Sequence, residues 1–168
     1  MTDLTLEVSG INVTTVDAAD DAADLQRWGT LVGQALAAEG VSAPAEVTLV
    51  FVDVDEMTKL NAEHMGQDGA TDVLSFPLDD VPESDDMPRM VGDIVLCLEY
   101  VKANALAIDP SRQLDDEIAL LIVHGALHLL GHDHAEDQER ATMRSREQTL
   151  LASLYRAGTH PDDQSATS

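Results

Sequence analysis

The sequence predicts an α+β fold: a single domain with a small mixed β-sheet packed with helices. Three observations carry this. A length of 168 residues with 44% hydrophobic residues suits one domain with a proper core. Short β-branched apolar runs stand among segments of helical periodicity without strict alternation. No internal repeat is visible.

The elements follow in order. LTLEVSG (4–10) and INVTTV (11–16) are strand material broken by Gly10. DAADDAAD (17–24) supplies aspartates that can cap and begin a helix. Leu25, Trp28, Leu31, Val32, Ala35 and Leu36 then recur at helical spacing, and Gly40 closes the segment. EVTLVFVDV (46–54) is apolar on both faces, as a central strand is. Asp55 opens a short helix carrying Met57, Leu60 and His64, and 65–71 form a loop. DVLSF (72–76) is a strand stopped by Pro77. LDDVPESDDMPRM (78–90) is acidic and aperiodic and reads as a mobile surface loop. GDIVLCL (92–98) is a third strand, and EYVKANALAID (99–109) a helix ending before Pro110. QLDDEIALLIVHGALHLLG (113–131) is the strongest helix, with Leu114, Ile118, Leu121, Ile122, Gly125 and Leu129 on one broad face and Gly131 as its stop. A last amphipathic helix spans 136–156, so the domain covers 1–157, and 158–168 is a disordered polar tail.

Composition narrows the function. Only nine Lys and Arg oppose 32 Asp and Glu, a net charge of −23. Such a surface repels polyanions, while phosphate contacts normally dominate nucleic-acid affinity. On charge alone RNA and DNA are not expected partners, and any nucleic-acid function has to overcome this. The single cysteine, Cys97, excludes an internal disulfide and lies in the apolar run IVLCL, so it reads as a small core residue. No long apolar span or signal-peptide pattern is present, so the expected location is the cytoplasm, with no membrane contact.

Residues 124–134 read HGALHLLGHDH. His124 and His128 are four apart on the predicted helix, which places them on one face with Cβ atoms about 5–6 Å apart. Two such imidazoles can converge on one Zn²⁺ ion at Zn–N distances of about 2.0–2.1 Å. Gly131 lets the chain turn back, and His134 then completes a three-nitrogen face with a fourth position open for water. One zinc ion per chain is the expectation, with His124, His128 and His134 acting through it. The spacing HxxxHxxGxxH is that of the metzincin proteases, except that Gly125 replaces the glutamate that serves them as general base. Met143, which could be offered as a metzincin Met-turn, falls within the predicted last helix. His132 is taken as lining the cleft rather than as a ligand. Asp133 either holds a ligand imidazole or shapes the turn. His64 and His160 are read as surface histidines.

HGALHLLGHDH resembles the signature of the YbeY endoribonucleases, which runs HGxLHLxGxDH. LNAEH (60–64), TDVLSFP (71–77) and GDIVLCLEYVKANA (92–105) resemble further segments of that family, so the resemblance covers 46–140 and fades at both ends. It implies a zinc-dependent, single-strand-specific endoribonuclease that acts in 3′-end maturation of small-subunit rRNA and in ribosome quality control. The implied zinc ligands are His124, His128 and His134, and the implied partners are single-stranded rRNA and ribosomal small-subunit proteins. His132 stands where many relatives carry Tyr, in agreement with its reading as a non-ligand. Met65 stands where many carry Arg, a residue that in the cleft would stabilise phosphate charge. Arg140, Arg144 and Arg146 follow the motif and could form a positive strip. The reading preferred here is that they pair along their own helix with Glu136, Asp137, Glu139 or Glu147. Arg89 is a further basic group, on a loop. The DVLSF strand is expected to flank the cleft, with Ser75 either a polar contact to substrate or an ordinary outward residue. Two rival functions remain: a zinc peptidase or amidase of metzincin-like ligand spacing, and a non-catalytic ribosome-assembly factor whose acidic surface docks on basic ribosomal proteins.

Overall fold

The computed structural model describes residues 2–78, 84, 86–108, 111, 113–132 and 136–156. β1 (Thr2–Val8) and β2 (Ile11–Asp17) pair antiparallel with Val8 opposite Ile11. The two-residue turn between them holds Ser9 at φ 52° and Gly10 at φ 79°. A turn with both central residues at positive φ matches the right-handed twist of the flanking strands. Along β2, buried Ile11, Val13 and Thr15 alternate with the less buried Asn12, Thr14 and Val16, so one face of the hairpin joins the core.

α1 (Leu25–Ala38) starts where the Asp24 carboxylate accepts the Arg27 N–H. It buries Leu25, Trp28, Leu31, Val32, Ala35 and Leu36, the stripe read from the sequence. β3 (Ala45–Phe51) is the central strand expected, lying parallel to β2 on one side and to β5 (Arg89–Leu96) on the other. α2 (Val54–Met65) begins earlier than Asp55 would suggest, because the Asp53 carboxylate accepts the Glu56 N–H at 2.8 Å and acts as the cap. β4 (Val73–Pro77) closes the sheet as an antiparallel edge strand on β5. The order is β1-β2-β3-β5-β4, a mixed five-stranded sheet.

β5 starts at Arg89, inside the stretch read as loop. The Arg89 N–H donates to the Pro44 carbonyl at 3.0 Å, and Arg89 pairs with Ala45. Cross-strand hydrogen bonds thus extend the strand past its apolar run. Residues 79–83 and 85 of the expected acidic loop, and the tail expected over 158–168, lie outside the described residues.

α3 (Leu98–Ile108), α4 (Leu114–Leu129) and α5 (Asp137–Leu150) follow, with a π-helical segment over Leu151–Arg156. α1 and α4 lie on one face of the sheet, and α4 also packs against α3 and α5. Ile118, Ala119, Ile122, Val123, Ala126, Leu127 and Leu129 of α4 are all buried. A helix covered on so many sides holds its side chains in fixed positions. A second, smaller cluster of Val52, Met57, Leu74, Val95 and Cys97 fills the space between α2 and the opposite face. Cys97 is fully buried there, and burial pushes its thiol pKa up, so it is the inert core residue expected.

Candidate active site

α4 packs against β4 and β5, and at Gly125 the approach is close. A Cβ built at Gly125 would lie 3.0 Å from Ile94 Cγ2 and 3.1 Å from Ser75 Oγ. The position therefore faces packed β4 and β5. A glutamate there would have to bury its carboxylate between Ile94 and the strand, at heavy cost. The Ser75 hydroxyl instead donates to the Gly125 carbonyl at 3.1 Å and ties β4 to the helix. Ser75 is thus turned toward α4 rather than outward.

The end of α4 is equally defined. The His132 N–H bonds to the Leu127 carbonyl and the Gly131 N–H to the His128 carbonyl, each at 3.1 Å, with Gly131 at φ +94°. These two bonds form a Schellman motif, which needs a left-handed residue at the position Gly131 occupies. The helix stops there as the sequence predicts.

Just before that stop, the Nε2 atoms of His124 and His128 come within 3.1 Å of each other. Behind them, His124 Nδ1 is hydrogen-bonded to Glu147 Oε1 of α5. A carboxylate oxygen accepts, so Nδ1 is the donor, and in the neutral ring Nε2 then carries the lone pair and faces His128. Two nitrogens bound tetrahedrally at about 2.0–2.1 Å from one zinc ion would be about 3.3–3.4 Å apart. The pair is within a few tenths of an ångström of that spacing, and a carboxylate on the far nitrogen of a ligand histidine is the usual supporting contact. The residues fit a divalent ion. Among the described residues no group of three His, Cys, Asp or Glu side chains is placed to hold one; His134 and Asp133 lie outside them.

Two cavities meet at His124. One, of about 360 Å³, is lined by His124 and His128 with Met65 at the end of α2 and with Asp72, Val73, Leu74, Ser75 and Pro77 along β4. The other, of about 240 Å³, is lined by His124 and by Arg140, Met143, Arg144 and Glu147 of α5. A groove larger than either lies between α1 and Tyr155, far in sequence from the histidine motif.

The remaining predicted residues fall as follows. His132 has its Nε2 3.7 Å from Glu39 Oε1, at the end of α1. The same carboxylate is gripped by Arg146, whose Nε donates to Glu39 Oε1 at 3.3 Å. Arg146 therefore pairs across the fold and not along its own helix, contrary to expectation. Arg140 does pair within the helix, with Asp137 at 3.8 Å. His64 packs its ring edge on Phe76, with centroids 4.9 Å apart. Met143 is buried beside His124 but stands in α5, not in a turn. Sequence reasoning missed Glu147 as a partner of His124. The two are 23 residues apart, and the only available signal was its place, with Arg140, Met143 and Arg144, on one helical face.

A mixed sheet thus holds a buried helix that brings paired imidazoles to the junction of two cavities, in a small α+β domain. Comparison with known proteins gives the family: the sequence model described as Endoribonuclease YbeY matches residues 12–155, and the chain belongs to that family. Endoribonuclease YbeY of Stutzerimonas stutzeri is 43% identical over 145 residues, covering 86% of this chain and 83% of that one. The Endoribonuclease YbeY of Pseudomonas putida strain F1 is 39% identical over 159 residues, covering 95% and 96%. Among solved structures, the solution structure of TM1509 from Thermotoga maritima matches with a TM-score of 0.58 at 27% identity, covering 83% of this chain and 86% of that one.

Proposed function

We propose that the protein is a zinc-dependent, single-strand-specific endoribonuclease of the cytoplasm, acting in 3′-end maturation of small-subunit rRNA and in ribosome quality control. The observation that carries this reading is the 3.1 Å approach of the two Nε2 atoms at the junction of two cavities, in a chain of the Endoribonuclease YbeY family. His124 and His128 would hold the ion, with His134 as third ligand on the spacing of the motif and Asp133 beside it in sequence. A divalent ion supplies Lewis acidity toward a phosphoryl oxygen and a water acidic enough to ionise near neutral pH.

The chain's own residues do the rest. Glu147 holds His124 in the tautomer that presents Nε2. The Ser75–Gly125 hydrogen bond keeps β4 against α4, so that β4 forms a fixed wall along which an extended strand can lie. Met65, Val73 and Leu74 make part of that wall apolar and limit the water around the reacting phosphate. The peptidase reading is disfavoured, because position 125 holds glycine where that chemistry needs a glutamate base, and a side chain there would crowd Ile94 and Ser75. The acidic surface is complementary to basic small-subunit ribosomal proteins, which would bring the enzyme to its RNA in spite of like charge.

The test begins with metal analysis of the purified protein. A precursor fragment spanning the 3′ end of small-subunit rRNA is then incubated with it, beside casein, with and without a chelator. The expected result is one divalent ion per chain, RNA cleavage that disappears on chelation and in His128→Ala, and intact casein. Undiminished RNA cleavage by metal-free protein or by His128→Ala would overturn the reading.

A further inference from the structure

The two cavities at His124 differ in charge. Among the described residues, those lining the larger one beside β4 include no Lys or Arg: Met65, Asp72, Val73, Leu74, Ser75 and Pro77 accompany the histidines. The smaller one carries two, Arg140 and Arg144 of α5. They stand four residues apart, so their side chains project from one face of the helix, and Met143 beneath them is buried. In a chain with nine Lys and Arg against 32 acids, a pair of guanidiniums beside the paired imidazoles is a local concentration of positive charge.

Other arginines of the chain have structural partners. Arg27 donates to Asp115 at 2.8 Å, and Arg146 is held by Glu39. Arg144 has no carboxylate partner among the described residues. Arg140 meets Asp137 at 3.8 Å, and the Asp137 side chain is fully exposed. An exposed pair of this kind is worth little in water. Glu147, which lines the same cavity, is engaged by His124.

We propose that Arg140 and Arg144 form a phosphate-binding subsite for the backbone of a single-stranded RNA, next to the histidine pair on the side away from β4. Guanidinium groups suit this role because their forked donors match phosphate oxygens bidentately and stay charged at all working pH values. The subsite supplies the positive charge that the wall containing Met65 lacks. It sets the register of the strand, with one phosphate gripped on α5 while its neighbour lies at the imidazoles. The proposal rests on the ribonuclease reading above and adds to it the residues that hold the substrate backbone.

The test uses a short single-stranded RNA labelled at one end, with wild type, Arg144→Gln, Arg140→Gln and the double variant, and binding read by fluorescence anisotropy in the presence of chelator. The double variant should bind at least about 10-fold more weakly. Its dependence of log K on log salt should be shallower by about 0.7 for each phosphate that the protein no longer neutralises. Metal content and Tm should match wild type, and in cleavage assays KM should rise while kcat stays within about 3-fold. Lysine at both positions should restore part of the affinity. Equal affinity and equal salt slope in wild type and double variant would discard the subsite and leave the ribonuclease reading standing. Wild-type protein that neither binds nor cleaves the strand would remove both.

Discussion

Glu147 shows how one side chain can set the chemistry of another from a distant part of the sequence. Its carboxylate lies on His124 Nδ1, so that Nε2 faces His128 and is the acceptor in the neutral ring. Replacing it by glutamine offers either an amide oxygen or an amide N–H to the ring, and the second choice would turn the lone pair the wrong way. Carboxylates behind metal-bound histidines are worth about 10–100-fold in metal affinity. Glu147→Gln is therefore expected to weaken zinc binding by a factor in that range, measured by competition with a chromophoric chelator, while circular dichroism stays unchanged. Unaltered zinc affinity would mean that Glu147 does no more than pack. The approach of His124 to His128 was legible in the sequence because residues four apart on a helix share one face. Glu147 was not, because its approach depends on how α5 folds back over α4. Arg146 was misread for the same reason: Glu39 lies 107 residues away and is a stronger partner than its helical neighbours.

At the scale of elements, local hydrogen-bonding chemistry explains both what the sequence revealed and what it hid. Helix ends were readable where one residue does the work. Asp24 caps α1, and Gly131 ends α4 with the two bonds of a Schellman motif. Strand order was not readable. Apolar alternation says that β4 has a buried face, but nothing local says that it lies antiparallel at the edge, beyond β5. The start of β5 was hidden because Arg89 and Met90 join the sheet through backbone pairing with Ala45 and Glu46 and not through apolar side chains. Gly131 tests the element-level account. A Cβ at Gly131 would meet nothing within 4 Å, so the cost of Gly131→Ala is that of the left-handed backbone alone. That is about 1–2 kcal/mol, or roughly 2–8 °C in Tm for a domain of this size. Because this turn leads into Asp133 and His134, the variant should also lose zinc affinity by more than its Tm change accounts for. Calorimetry and chelator competition on the same sample check both effects; a lower Tm with unchanged zinc affinity would separate the helix stop from the metal site.

Over the whole molecule, the net charge of −23 has to be reconciled with a polyanionic substrate. Most nucleases gain affinity as salt is lowered, because cations on the protein displace counterions from the strand. Here the net charge makes the far field repulsive, and the proposed subsite at Arg140 and Arg144 would supply attraction at close range. Salt acts on the two at different ranges. Charges tens of ångströms from the site are felt at 0.01 M salt, where the screening length is about 30 Å, and largely vanish at 0.1 M, where it is about 10 Å. A guanidinium in contact with a phosphate is screened much less. The kcat/KM for a single-stranded RNA is therefore expected to rise as ionic strength increases from about 0.01 to about 0.15 M and to fall only beyond that. Tm should rise over the same interval, since the acidic surface repels itself as well as the substrate. The double variant of Arg140 and Arg144 should keep the rising limb and lose the falling one. A rate that declines steadily from the lowest salt would show that a positive field dominates the approach of the strand, which the composition does not provide. It would place the cations that matter elsewhere than on α5.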